Sequence, residues 1–265
     1  MAVSRAVAAD RPSFECSASA TGCHCCGKSR KTGPVRHAST GAPVGKVGSM
    51  STSGPLRQFL AGDAREIAPL LLGAVLTYTS AQGAVAVRIT ELEAYMGPVD
   101  SLHPDPGSHT YRGPTRRNAP MFGPAGHLYV YFTYGMHHCA NIVCGPAGHA
   151  SAVLLRAGEI VEGRELALAR RPTSKSAKDL ASGPARLATA LGLTTEDSGR
   201  DALSPPFGLA LPPAPAAHVS TGPRVGVAGH GGTHDYPWRF WLTGDPTVSR
   251  YKAAKARPAP RRLDG

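Results

Sequence analysis

In the segment TELEAY, residues 90–95, acidic and aromatic side chains alternate with apolar ones. In an extended strand Glu91, Glu93 and Tyr95 project from one face, and Leu92 and Ala94 from the other. Two carboxylates beside a phenol at a strand end can form a proton-transfer site. Burial raises a carboxylate's pKa and equips it as a general base. The same alternation also describes an ordinary solvated strand face.

A second group follows in SHTYRGPTRRN, residues 108–118. Arg112, Arg116 and Arg117 lie close together, with His109 and Tyr111 alongside. Guanidinium groups grip phosphate with a planar fork, so this loop suits a nucleic-acid backbone. A solvated, ordinarily charged loop is the alternative.

The third group is HLYVYFTYGMHHCAN, residues 127–141. Tyr129, Tyr131 and Thr133 share one strand face. Tyr134 and Gly135 read as a hairpin turn, which puts a large aromatic at an exposed tip. That is unfavourable for solubility unless the ring has a purpose, such as a wedge between base pairs. Tyr131 suits either stacking on a base in a pocket or core packing. His137, His138 and Cys139 are adjacent and cannot all face one metal. His230 and His234, in GHGGTHDY, are four apart, but the glycines between them oppose the helix that would align them.

These groups need elements to hold them. Asp63 caps a short helix over AREIAPLLLG that Pro69 interrupts. Residues 84–95 alternate as a strand, and a long Pro/Gly loop runs from 97 to 126. HLYVYFTY and CANIVCG pair as two strands, and 150–160 is another. IVEGRELALARR and PARLATALGL read as helices, the second with Ser182 and Gly183 at its cap and Pro184 at its first position. A Pro-rich connection spans 204–223, and RVGVAG and WRFWLTG read as closing strands. Together they predict a single α+β domain over 56–250, with a curved, mainly antiparallel sheet, surrounding helices and a protruding β-hairpin.

The chain has 265 residues and a formal charge of +11. Residues 1–49 carry seven basic and two acidic groups, and residues 251–265 carry five and one. The ends thus hold +5 and +4, leaving +2 between them. Basic ends add salt-sensitive attraction to a polyanion or are simply solvated. Residues 1–55 lack periodicity and read as a disordered, basic, cysteine-containing extension. Residues 251–265 read as a basic tail. Met50 offers an alternative start just before the patterned region. CHCC at 23–26 lacks the second ligand pair of a structural zinc site, and reduced thiols are expected. No apolar run is long enough to span a membrane and no secretory leader is evident, so the expected location is cytoplasmic.

TELEAYMGP, SHTYRGPTRRNAPMFG, HLYVYFTYGMHHCANIV, AVLLRAGEI and SGPARL, in this order, resemble the alkyladenine (3-methyladenine) DNA glycosylase family. The resemblance implies an enzyme that flips alkylated or deaminated purines out of double-stranded DNA and hydrolyses the N-glycosidic bond. It implies Glu93 as the general base and Arg156 as its partner in holding water. Tyr95, His109 and Tyr131 would be the walls around the flipped base, and Asn141 the group that crowds guanine's exocyclic amine. Tyr134 would be the wedge and Met136 its neighbour, with Arg112, Arg116 and Arg117 on the backbone. His109 is taken over His103 because it opens SHTYRG. These motifs contain no lysine to act as a Schiff-base nucleophile, so a monofunctional glycosylase is expected. No metal or other cofactor is implied, and a monomer suffices. The competing readings are a nucleic-acid binder of the same fold without catalysis, and a metal-dependent hydrolase built on the histidines.

Overall fold

The computed structural model describes residues 53–254. The chain enters through two helices, α1 (Ser53–Leu60) and α2 (Ala64–Leu70). The first takes in three residues that the sequence reading left in the N-terminal extension. Asp63 caps α2 by accepting from the Arg65 N–H at 2.8 Å, worth about 1 kcal/mol. The helix stops one residue past Pro69, which has no N–H to give the ladder. The CHCC segment and the remainder of both expected tails lie outside the described residues.

Nine strands follow among the described residues: β1 (Val75–Ser80), β2 (Gly83–Tyr95), β3 (Leu128–Thr133), β4 (His137–Val143), β5 (Ala152–Glu162), β6 (Ala181–Ser182), β7 (Phe207–Ala210), β8 (Val219–Gly222) and β9 (Arg239–Leu242). Two further helices, α3 (Arg164–Arg170) and α4 (Pro184–Leu191), lie between β5 and β7. The sheet runs β3-β4-β5-β2-β1-β7, with β6 on β5, β9 on β2 and β8 on β9. Every one of these strand pairings is antiparallel. The fold is therefore α+β, as the sequence predicts.

Two strand expectations needed correction. RVGVAG forms no strand; the neighbouring VSTG does, as β8. The Val225 N–H is instead spent on the Glu93 side chain, at 2.7 Å. The Pro-rich stretch contributes β7, whose Phe207 stacks on Tyr78 of β1 at 4.6 Å between ring centroids. The sequence reading did not single out β1 either, although the chain turns at Gly73, in the left-handed region, between the end of α2 and Val75.

The two faces of the sheet divide the labour. Leu92 and Ala94 of β2, Leu128 and Val130 of β3, Ala140 and Ile142 of β4, and Val153 and Leu155 of β5 enter the main core. There they meet α1, α2 and the buried face of α4, formed by Leu187, Ala188, Ala190 and Leu191. The period-two alternation sends the intervening residues to the other face. These are Glu91, Glu93 and Tyr95; Tyr129 and Tyr131; Cys139 and Asn141; and Leu154 and Arg156. A smaller cluster of Met121, Tyr129, Val143, Ala150 and Ala152 underlies them. The β2–β5 pairing shifts register around Ile89, Glu91 and Leu92. Close backbone approach there needs Gly158, since a Cβ on it would meet the Arg88 carbonyl oxygen at 2.6 Å.

Candidate active site

The second face of the sheet carries a cavity of about 370 Å³, within the range of small-molecule sites. Glu93, Tyr95, His109, Tyr131, Asn141, Arg156 and Tyr134 all line it. They come from β2, β3, β4, β5, the 97–126 loop and the hairpin turn. Strands supply the floor because adjacent antiparallel strands bring same-face residues together: Tyr129 stands opposite Asn141, and Glu93 opposite Leu154.

Glu93 lies on the floor with no exposed surface. Its carboxylate accepts from the Tyr95 hydroxyl at 2.9 Å and the Val225 N–H at 2.7 Å, and Arg156 Nε stands 3.4 Å away. Burial, and then the Glu93 charge, push the Tyr95 phenol well above its usual range, so it remains a donor. Arg156 Nε donates to Glu91 at 2.9 Å, and its two terminal nitrogens have no hydrogen-bond partner among the described residues. Glu91 also accepts from Arg239 Nε at 2.6 Å and the Ser249 N–H at 2.7 Å. The buried Glu91 carboxylate, itself held by Arg239 and a main-chain amide, thus braces Arg156 from behind, and the burial of both carboxylates rules out a solvated face for the strand's acidic pair.

The walls are aromatic. His109 meets Tyr131 edge to face at 4.6 Å, and its Nδ1 shares a hydrogen bond with the Tyr129 hydroxyl at 3.1 Å. Tyr129 stacks near Tyr131, with centroids 5.3 Å apart. Burial pushes the Tyr129 phenol up to about 12 and Tyr131 higher still. Partial burial, then the nearby Arg117 charge, lower the His109 pKa, which favours the neutral ring. His103 lies elsewhere, 3.9 Å from Asp63. Asn141 Nδ2 donates to the Tyr129 carbonyl at 2.9 Å, fixing its amide at the pocket wall.

Arg224, which sequence reasoning passed over, is fully buried. It grips Asp105 with two bonds of 2.6 and 2.7 Å and donates to the Ala94 and Gly231 carbonyls. Its guanidinium lies over the Tyr95 ring at 4.5 Å. The pair pins the 97–126 loop and the 224–231 segment to β2. Hydropathy gives no warning of such an arginine, because charge alone predicts solvent.

The hairpin's end stands clear of the core. Tyr134 is 85 % exposed and adopts φ +51, with Gly135 also in the left-handed region. The Met136 N–H closes the turn on the Thr133 carbonyl at 3.2 Å. Met136 is exposed beside the tip and does not line the cavity. Arg116 and Arg117 line an adjoining hollow with Tyr131 and Phe132. Arg117 donates to the Phe132 carbonyl at 2.8 Å. Arg112 is exposed and reaches neither space. Among the described residues no group of three or more His, Cys, Asp or Glu is gathered as a metal site. His230 faces Asp235 at 3.8 Å.

An aromatic slot that ends on a buried carboxylate and guanidinium, beside an exposed ring on a hairpin, belongs to the class of sites that can take in a flat group and set it against a proton-accepting carboxylate. Comparison with known proteins makes the class specific. Residues 58–246 match the family model for methylpurine-DNA glycosylase. A Streptomyces avermitilis protein is 56% identical over 205 residues, covering 76% of this chain and 93% of that relative. A Leifsonia xyli protein is 57% identical over 202 residues, covering 75% and 92%. A Mycobacterium tuberculosis protein is 46% identical over 200 residues, covering 76% and 95%. All three are provisionally named 3-methyladenine DNA glycosylases. The chain belongs to the methylpurine-DNA glycosylase family, whose enzymes hydrolyse N-glycosidic bonds in DNA for base-excision repair.

Proposed function

We propose that this protein extrudes an alkylated or deaminated purine nucleotide from duplex DNA into the cavity and releases the base by water attack at the sugar C1′, leaving an abasic site. The observation that carries this reading is Glu93. It is buried, triply held, and set at the end of an aromatic slot that adjoins an exposed tyrosine tip. Glu93 takes the proton of the attacking water and stabilises the positive charge that develops on the sugar. Arg156, with free terminal nitrogens, orients that water. Tyr95, His109 and Tyr131 enclose the base, and a cationic alkylated purine gains from their π faces. Asn141 crowds the exocyclic amine of guanine.

Extrusion costs a few kcal/mol. Tyr134 enters the vacated stack and offsets part of that, since stacking contributes roughly 1–3 kcal/mol per base. Met136 meets the neighbouring pair, and Arg112, Arg116 and Arg117 meet phosphates. The protein works as a monomer in the cytoplasm, at the chromosome. The test is single-turnover base release from duplexes carrying one ethenoadenine or hypoxanthine, and from alkylated DNA. The parent protein should leave abasic sites without strand cleavage, and Glu93→Gln should release base about 10²–10⁴-fold more slowly while still binding the duplex. Binding without release by the parent would leave only the non-catalytic reading.

A further inference from the structure

A second hollow, of about 560 Å³, adjoins the cavity. His137 at the start of β4, Arg171 and Lys175 after α3, Asp179, and Ala185 and Arg186 in the first turn of α4 line it. Pro184 lines the cavity while Ala185 and Arg186 line the hollow, so the N-terminus of α4 is the partition between them. The hairpin repeats this arrangement: Thr133 lines the cavity, and its cross-strand partner His137 lines the hollow.

The hollow is short of negative charge. Arg171 is only 8 % exposed, its Nη1 is buried without a partner among the described residues, and its ion pair with Asp179 is long, at 3.5 Å. Asp179 is shared with Arg186, so one carboxylate serves two guanidiniums. Lys175 is exposed and forms no ion pair with the described residues. Burial, and then the like charge of Arg186, pull the Arg171 pKa down, which an arriving anion would reverse. α4 begins after Gly183 with no side-chain cap, so its first N–H groups lack helical partners and its positive dipole end lies at the partition.

We propose that this hollow holds one backbone phosphate of the DNA strand bearing the extruded nucleotide, with Lys175 and Arg186 at its mouth and Arg171 beneath. The proposal rests on the base-extrusion reading. A nucleotide swung into the cavity carries its flanking phosphates out of the helical path. A cationic seat one residue beyond the cavity wall meets such a phosphate and holds the swung-out backbone. A free phosphate ion has the same chemistry; the shared partition with the cavity favours the DNA source.

The test uses the full chain and duplexes with one ethenoadenine, in which a single neutral methylphosphonate is walked through the flanking phosphates. Affinity is measured for the parent, Lys175→Gln and Arg186→Gln. At one phosphate beside the lesion, neutralisation should weaken the parent about tenfold and each variant much less. Each variant should also lower the slope of log affinity against log salt by about one. Equal methylphosphonate losses in parent and variants at every position, with base release by the parent intact, would overturn the seat alone. A parent that releases no base from the unmodified duplex would overturn the extrusion reading and the seat with it. A thermal shift by inorganic phosphate that Lys175→Gln abolishes, without any methylphosphonate coupling, would mark a small-anion site and overturn the DNA assignment.

Discussion

Arg156 is bound to Glu91, with Nε 2.9 Å from Oε1, more closely than to Glu93 at 3.4 Å. The carboxylate two residues upstream therefore sets where the guanidinium stands, and Arg239 and the Ser249 amide set where that carboxylate stands. Removing one charge from such a buried group strands the others.

Glu91→Gln should accordingly destabilise the protein by about 3–5 kcal/mol, read by denaturant unfolding. Where the variant is still folded, base release should also slow, because Arg156 loses its anchor. An unchanged unfolding midpoint would show that Arg156 is held by other means.

Tyr134 supports no core packing, so Tyr134→Asn should leave stability within about 0.5 kcal/mol; asparagine also tolerates the left-handed turn. Base release should nonetheless fall by a factor equivalent to roughly 1–3 kcal/mol, the value of one stacked ring. A variant with full activity would remove the tip from the mechanism.

His109 titrates below its ordinary value of 6.5 because of burial and then Arg117. Its lowered folded pKa means that the fold favours the neutral ring. The stabilisation is present above pH 6.5 and is lost as pH falls through the folded pKa. Arg117→Gln should move the His109 titration, followed by NMR, back towards 6.5. No movement would mean that the arginine's field does not reach the ring.

Asp105→Asn should leave the Arg224 charge over the Tyr95 ring without its carboxylate counter-ion. The expected cost is about 3–5 kcal/mol, measured by thermal or denaturant unfolding. A loss below about 1 kcal/mol would show that the pair does not hold the two loops to β2.

Much of the site was legible because its residues sit on strands. Alternation in TELEAY and HLYVYFTY placed Glu93, Tyr95 and Tyr131 on faces that the sheet then brought together. The helix over PARLATAL was legible from Pro184 after Gly183, and the hairpin from the turn at Tyr134–Gly135. What stayed hidden depended on distant partners. β7 and β8 have four residues each and exist because β1 and β9 lie beside them. Arg224 and Arg239 look like surface charges until Asp105 and Glu91 close over them. RVGVAG alternates like a strand, but its backbone answers to a side chain rather than to a neighbouring strand.

That last contact, the Val225 N–H on the Glu93 carboxylate, ties the centre of the site to a feature every residue but proline possesses. The side chain at 225 can drift in size and polarity while the anchor persists, provided the chain keeps its path. A fault in this support would come from a bend in the main chain, introduced by Val225→Pro or by lengthening the segment between β8 and β9. The robustness of the site at this point resides in chain trajectory rather than in residue identity.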